Sequence, residues 1–443
     1  MEAKMMPNPF TYGQPVFPDS FVGRRSEILA AFDQIYNRSN LALWGGPTMG
    51  KTSFLQFLTS PEVWQHYGQD PSQAVIVLLS CESIQPFTAS GFWQEVFSLL
   101  QGKLEGEPDI QEQIQTLLDQ GKATTRGMRQ VLRKLGQRHK FLLLLVDDYD
   151  CALQENQNYN HADMETFVTE CRSIAYHSRE RRYLSMIVAS LRPLNELGPA
   201  LNPNSSPWYN HYLFQSLKPF TDPDIDQLLE PLTDLIPIKP TLPDLIREIA
   251  GGHPALLQIA GSLLYRELKT GNVPDAQAFT RDDAQAFTRD FEATTLSIFE
   301  TIWKRCSQVE QALLMLMALF KLHGRLHHNK HFDLKGIDVI FSQHQRELTN
   351  LVEQGVITNG KEQGRVISHQ DLLFTSSIME QWVIQEIWQT NNPLLDDRER
   401  VFLNLISHSQ AHQVTEAIKW LSQNQEIVKT ALEWVSKVLA AFS

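Results

Sequence analysis

A single glycine-rich segment, residues 45–52 (Gly-Gly-Pro-Thr-Met-Gly-Lys-Thr), constrains the fold of this chain more than any other feature. It matches the pattern G-x-x-x-x-G-K-[S/T] at every fixed position. The apolar residues 41–44 before it are typical of a short strand, and residues 53–58 after it are typical of the start of a helix. A strand, a glycine loop and a helix in this order predict an α/β domain with a parallel sheet that is covered by helices on both faces.

The residue types in this segment suit the phosphates of a nucleotide. Gly45 and Gly50 let the backbone curl so that its N–H groups point inward, although Pro47 contributes no donor. Lys51 is expected to reach the β- and γ-phosphates, and the Thr52 hydroxyl to ligate Mg²⁺. The alternative is a glycine turn without a ligand. The residues expected to contact the nucleotide here are Gly45, Gly46, Pro47, Thr48, Met49, Gly50, Lys51, Thr52 and Ser53.

A second apolar run, residues 141–146, ends in the acidic sequence Asp147-Asp148-Tyr149-Asp150. A continuous apolar run is typical of a strand that is buried on both faces of a parallel sheet. Carboxylates at the carboxyl end of such a strand lie where α/β sheets bind ligands. We therefore predict that Asp147 belongs to the Mg²⁺ shell and that Asp148 polarises the attacking water. The alternative for the acidic residues alone is a solvated turn.

Composition places the chain among globular proteins and limits its partners. The 443 residues are enough for two to four domains. The formal net charge of −12 argues against broad attraction to nucleic acid or to anionic lipid. No apolar run approaches the roughly 18 residues that a membrane span needs. The four cysteines show no C-x-x-C spacing, which favours a reducing, cytoplasmic environment with free thiols.

Periodicity and composition divide the chain into six segments. Residues 74–80, 183–191 and 212–217 are further predicted strands, and residues 223–232 and 243–268 are predicted lid helices. The predicted segments are an arm (1–20), an ATPase α/β domain (21–220), a helical lid (221–272), a linker (273–295), a winged-helix-like domain (296–392) and a helical tail (393–443). The linker contains an octapeptide, residues 275–282, that is repeated as residues 283–290.

The carboxyl-terminal half leaves two alternatives open. Helices over residues 308–320 and 341–354, and wing strands over residues 355–358 and 365–368, predict a winged helix. It could read DNA, but it lacks the basic stripe that DNA binding needs, so a packing and regulatory module is favoured. The tail, with Trp420, either packs on its own chain or binds a partner. A zinc site among His323, His327, His328 and His331 is not favoured.

Together these motifs resemble STAND-type ATPases, which are signal-transducing relatives of AAA+ proteins, and in particular the prokaryotic AAA-like group. The resemblance rests on the loop, on the acidic strand, and on further segments that match the group's motifs. These segments are Asn8-Pro9-Phe10-Thr11-Tyr12-Gly13, Phe21-Val22-Gly23-Arg24-Arg25, Val188-Ala189-Ser190-Leu191-Arg192-Pro193, Ser205-Ser206-Pro207-Trp208 and Gly251-Gly252-His253-Pro254. Asp148 departs from the Glu that AAA+ motors typically use, which suits a slow switch.

The resemblance implies roles for residues outside the loop. The backbone of Phe21, Val22 and Gly23 would flank the adenine, and Pro254 would approach the base from the lid. Ser190 and Arg192 would sense the γ-phosphate. An arginine among Arg172, Arg179, Arg181 and Arg182 could act in trans.

The implied function is an ATP- and Mg²⁺-dependent switch with slow hydrolysis to ADP. In its ATP state such a switch would self-associate into a homo-oligomer or bind a protein effector or sensor. The alternatives are a DNA-associated initiator or transposition regulator, and a scaffold that holds the nucleotide without turnover.

Overall fold

The computed structural model describes residues 7–200, 206–233, 241–270, 280–326, 332–359, 372–388 and 400–432. Contacts divide the chain into two compact units. One comprises Gln14–Gly46 and Gly50–Leu217, and the other comprises the remaining residues that the structure describes. No helix among the described residues is both long enough and apolar enough to cross a bilayer.

The first unit contains a five-stranded parallel sheet. Its strands are β1 (Asn40–Trp44), β2 (Ala74–Ser80), β3 (Phe141–Asp147), β4 (Leu184–Ser190) and β5 (Tyr212–Ser216), and they lie in the order β2-β3-β4-β1-β5. Every residue of β3 and β4 is buried, as expected for the central strands of a sheet covered on both faces. The sheet confirms the predicted α/β fold class, and all five strands were predicted to within one residue at each end.

Within the described residues of the first unit, seven α-helices cover the two faces of this sheet. Successive side chains of a strand point to opposite faces. On β3, Leu142 and Leu144 accordingly join one hydrophobic cluster, and Leu143 and Leu145 join the other. The helices are α1 (Arg25–Tyr36), α2 (Lys51–Phe57), α3 (Pro61–His66), α4 (Ala89–Gly102), α5 (Pro108–Asp119), α6 (Thr125–Gln137) and α7 (His161–Arg172). Helices α1 to α3 pack in the cluster of Leu143, and α4 to α7 pack in the cluster of Leu142.

After β5 the chain continues in the second unit with three helices, α8 (Asp222–Thr233), α9 (Thr241–Ala250) and α10 (Pro254–Thr270). The prediction of a single helix over residues 243–268 is wrong, because a turn separates α9 from α10. Gly251 adopts φ = 56°, a left-handed conformation that ends helices. Pro254 then begins α10, where its missing N–H costs no intrahelical hydrogen bond.

The next helices are α11 (Arg281–Arg305) and α12 (Gln308–Arg325). The second octapeptide copy lies inside α11, so residues 281–295 form a helix and not a linker. Thr280 and Asp283 cap this helix reciprocally, and Phe287 and Phe291, four residues apart, are fully buried. Most of the first copy, residues 275–279, lies outside the described residues.

The predicted winged-helix segment contains α13 (Val339–Gln343), α14 (Gln345–Glu353), β6 (Ile357–Asn359), β7 (Leu372–Phe374) and α15 (Ser377–Trp388). A single helix was predicted over residues 341–354, but a turn at His344 separates α13 from α14. The antiparallel partner of β6 is β7, which lies beyond the predicted second strand. Residues 365–368 lie outside the described residues, so the winged helix itself stays a prediction.

The two ends of the described chain, beginning at residue 7 and ending at residue 432, pack within the second unit. The side-chain amide of Asn8 donates to the hydroxyl of Ser262, and the Phe10 ring leaves no room for a Cβ at Gly261. The described tail forms helices His408–Gln423 and Gln425–Leu432, which contact α15 and α12. Packing of the tail on its own chain therefore accounts for the described tail residues. Residues 433–443 lie outside them.

Candidate functional site

The glycine loop connects β1 directly to α2 at the carboxyl edge of the sheet. Gly50 adopts φ = 88° and caps α2, which begins at Lys51. Thr48 also adopts a left-handed conformation, with φ = 56°, and its side chain is exposed. Left-handed conformations two residues apart turn the backbone sharply, as in loops whose N–H groups converge on an anion. Gly45 and Gly46 are buried, Met49 is completely buried and Pro47 is half-buried.

The ammonium of Lys51 is held inside the loop. Its Nζ donates to the carbonyl oxygens of Gly45 at 2.9 Å and of Gly46 at 3.0 Å, and the residue is only 9% exposed. Lysine offers three donors and no acceptor, so the loop is shaped around a buried positive charge. The role predicted for Lys51 at the β- and γ-phosphates stays a prediction.

Thr52 and Asp147 meet across the sheet edge. The Thr52 hydroxyl donates to Oδ2 of Asp147 at 2.6 Å, although the two residues are 95 positions apart in sequence. Burial raises the pKa of the Asp147 carboxyl, the negative charge of Asp148 adds to this effect, and the hydrogen bond from Thr52 opposes it. A half-buried hydroxyl and a buried carboxylate at this spacing are hard oxygen ligands of the kind that Mg²⁺ prefers.

Asp148 is held in an unusual backbone conformation. Its φ of 49° and ψ of 40° lie in the left-handed region, which aspartate adopts more readily than most residues. Its N–H donates to Oδ1 of Asp147 at 3.0 Å, and its Oδ2 accepts from the hydroxyl of Ser80 at 2.6 Å. Sequence reasoning missed Ser80. Ser80 ends the predicted strand β2, but only the pairing of β2 with β3 places it opposite Asp147.

The end of β4 lies beside the loop. The N–H of Gly45 donates to the Ser190 carbonyl at 3.2 Å. The Ser190 side chain is fully buried, and its hydroxyl donates to the Arg192 carbonyl at 2.7 Å. The guanidinium of Arg192 lies 3.7 Å from the carboxylate of Glu196. The structure therefore brings Ser190 next to the loop and pairs Arg192 with an acid in the following turn.

Of the residues predicted to flank the adenine, Phe21 packs on α2. The ring of Phe21 stacks on Phe57 at 4.6 Å between centroids. Val22 is half-buried, and Gly23 adopts φ = 70°. The hydroxyl of Ser53, predicted as a nucleotide contact, accepts the N–H of Val16 at 3.1 Å. Pro254 begins α10 in the other unit.

The arginines considered for a role in trans are spread over two places. The guanidinium of Arg172 donates to the Ser206 carbonyl at 3.0 Å. Arg179, Arg181 and Arg182 form an exposed helical turn before the amino end of β4, at the sheet edge opposite the loop. Of the histidines considered for zinc, His327, His328 and His331 lie outside the described residues. Within the described ranges, no group of three or more His, Cys, Asp or Glu residues is placed to hold a metal ion.

Comparison with known proteins finds likeness in structure only. No protein-family model and no curated protein matches the chain. A Walker-type ATPase of Pyrococcus abyssi superimposes with a TM-score of 0.53 at 13% identity, and the match covers 85% of this chain and 99% of that chain. The ORC2 protein of Aeropyrum pernix, in its ADPNP-ADP complexes, superimposes with a TM-score of 0.51 at 14% identity. That match covers 93% of this chain and 97% of the other.

These likenesses extend over nearly the full length of both relatives, so they include the helical region that follows the sheet. At such low sequence identity these likenesses establish the fold alone. The chemistry of the site depends on the residues of this chain. The parallel five-stranded sheet, the glycine loop between β1 and α2, and the acidic end of β3 agree with that fold. The chain has the fold of a P-loop ATPase with a helical carboxyl-terminal region.

Proposed function

We propose that this protein is an ATP-dependent switch that binds ATP with Mg²⁺ and hydrolyses it slowly. The observation that carries the proposal is the 2.6 Å hydrogen bond between Thr52 and Asp147, next to the buried ammonium of Lys51. It brings the two separate motifs of the sequence to one point. A cation, a hydroxyl and a carboxylate grouped in this way suit a polyphosphate and its metal ion.

Each of these residues has a distinct part in the proposed reaction. Lys51 exchanges its loop carbonyls for the β- and γ-phosphate oxygens. Thr52 and Asp147 supply the oxygen atoms that would hold Mg²⁺, and the bound ion would neutralise charge on the phosphates. Asp148 orients the attacking water and accepts its proton, while the hydroxyl of Ser80 fixes the direction of the carboxylate.

The second unit supports a switch because its lid helices and carboxyl-terminal helices are joined by buried polar contacts. The Ser376 hydroxyl donates to the carbonyl of Ile249 at the end of α9. Among the carboxyl-terminal helices themselves, Arg325 of α12 pairs with the buried Glu380 of α15 at 2.9 Å. The backbone at Gly251 lies against Thr375 so closely that a Cβ has no room there. A displacement of the lid by ATP would therefore carry the carboxyl-terminal helices with it.

We further propose that this displacement controls self-association into a homo-oligomer or the capture of a protein effector in the cytoplasm. Ser190 and Arg192 would report the γ-phosphate, since the β4 end is bonded to the loop through Gly45. Differential contact with ATP and ADP is what allows a ligand to shift such an equilibrium. A role at DNA is not favoured, because α14 carries Glu347 and Glu353 beside its Arg346.

The test is ATP binding by calorimetry, with and without Mg²⁺, in wild type, Lys51→Ala and Lys103→Ala. Lys103 is an exposed lysine at the end of α4, so its removal is a matched loss of charge away from the loop. Lys51→Ala should weaken binding by about 10- to 100-fold or more, because a charged donor to the phosphates is lost. Equal affinity in all three proteins would contradict the proposal.

A further inference from the structure

The acidic turn after β3 contains a third carboxylate, Asp150, whose position suggests a task in the site. Asp150 is 7% exposed. Its Oδ1 and Oδ2 accept the backbone N–H of Leu191 at 3.1 and 2.9 Å, across 41 positions of sequence. Burying a carboxylate is costly unless hydrogen bonds compensate. The two bonds join the turn after β3 to the end of β4.

Leu191 is the central residue of the turn that follows β4. On one side of it, the Ser190 carbonyl accepts the N–H of Gly45 in the glycine loop. On the other, the Arg192 carbonyl accepts the hydroxyl of Ser190. The turn is thus held between the phosphate loop and Asp150, and we call these residues, 190 to 192, the β4 turn.

The same carboxylate also belongs to the turn that carries Asp148. Asp150 lies in the helical turn Tyr149–Leu153, which begins directly after the left-handed Asp148. The N–H of Cys151 donates to the Asp148 carbonyl at 3.0 Å and closes this turn. A left-handed residue other than glycine persists only when its surroundings fix it. Asp150 anchors the far side of the turn to the neighbouring strand.

We propose that Asp150 is a positioning residue, which fixes Asp148 and Arg192 relative to the glycine loop for ATP hydrolysis. The inference rests on the proposed function, because it concerns turnover at the same site. Asp150 itself bonds the β4 turn and not the reacting atoms. Its loss would let the two turns shift independently, and a misplacement of about 1 Å between reacting groups can lower a rate by about 100-fold.

The experiment compares Asp150→Ala, Asp150→Asn and Asp163→Ala with wild type at a temperature where all four are folded. Asp163 is the control, because its carboxylate also accepts a backbone N–H, from Asn160 at 3.0 Å, but it does so in the exposed cap of α7. Phosphate release gives kcat and KM for ATP. Hydrogen exchange of peptides that contain Leu191 reports the bond itself.

We expect Asp150→Ala to lower kcat by about 10- to 100-fold with KM within about threefold of wild type. Its Leu191 amide should exchange faster. Asp150→Asn keeps one oxygen that can accept from Leu191, so most of the rate should be restored. Asp163→Ala should lower the unfolding temperature only.

Two results would overturn the inference. One is a kcat in Asp150→Ala equal to that of wild type, and the other is an equal loss of kcat in Asp163→Ala. A wild-type protein whose phosphate release is unchanged by Lys51→Ala would instead contradict the proposed function. The two failures are therefore distinguishable.

Discussion

Replacing Asp148 by asparagine should separate chemistry from folding at this site. Asparagine, like aspartate, tolerates the left-handed conformation that residue 148 adopts. Its amide oxygen can still accept the hydroxyl of Ser80, and its backbone N–H can still donate to Asp147. The substitution also removes a negative charge beside the buried Asp147, whose pKa that charge helps to raise. The substitution therefore removes few stabilising interactions from the folded structure.

The expected magnitudes follow from this geometry. The free energy of unfolding should change by less than about 1 kcal/mol, which corresponds to an unfolding temperature within about 4 °C of wild type. The Kd for ATP should stay within about threefold. The rate of hydrolysis should fall by about 100-fold or more, since a positioned general base contributes about 100- to 10,000-fold. Scanning fluorimetry, calorimetry and phosphate release measure these three quantities.

The control is Asp163→Asn, the same chemical change in the exposed cap of α7. It should leave the rate of hydrolysis unchanged. The reasoning would be refuted if Asp148→Asn hydrolysed ATP within twofold of wild type. It would also be refuted if the unfolding temperature of Asp148→Asn fell by tens of degrees, because the carboxylate would then serve folding and not chemistry.

Three further predictions concern stability and partners. Asp147→Asn should raise the unfolding temperature at neutral pH, because burial disfavours the ionised carboxyl in the folded state; it should weaken ATP binding only when Mg²⁺ is present. Burial lowers the pKa of His211 to about 4, so the unfolded chain takes up its proton first as the pH falls below the ordinary value of about 6.5. Stability should decrease by about 2 kcal/mol from pH 7 to pH 5 through this group, and pH-dependent denaturation of His211→Gln should lack that decrease. In a filter-binding assay at physiological salt, the protein should form no sub-micromolar, sequence-preferring complex with DNA, given its net charge of −12.

Local sequence patterns predicted the parts of the site that depend on local chemistry. The glycine loop and the apolar run of β3 are each a continuous segment of sequence. Their residue types leave few alternative structures for these two segments. Ser80 and the bond from Leu191 to Asp150 depend instead on which strands become neighbours. Because β4 lies between β3 and β1, contacts of its carboxyl end required the strand order, which periodicity does not supply.

The errors in the second unit have identifiable physical causes. Apolar periodicity continues across Gly251 and so concealed the helix break, although two glycines followed by His253 and Pro254 were a recognisable stop signal. The repeated octapeptide was assigned to a linker, and this interpretation outweighed the helical spacing of Phe287 and Phe291. Strand β7 spans only Leu372–Phe374, which is too short for a clear alternation of apolar and polar residues.

Light scattering of the purified protein with ADP and with a non-hydrolysable ATP analogue, each with Mg²⁺, tests the central claim most directly. The claim is that ATP at Lys51, Thr52 and Asp147 changes the state of the whole chain. We expect a larger mass, or capture of a protein partner, with the analogue and not with ADP, and no difference between the two nucleotides in Lys51→Ala. The account would be contradicted if calorimetry shows that the wild type binds both nucleotides while its mass and its partners stay the same with either.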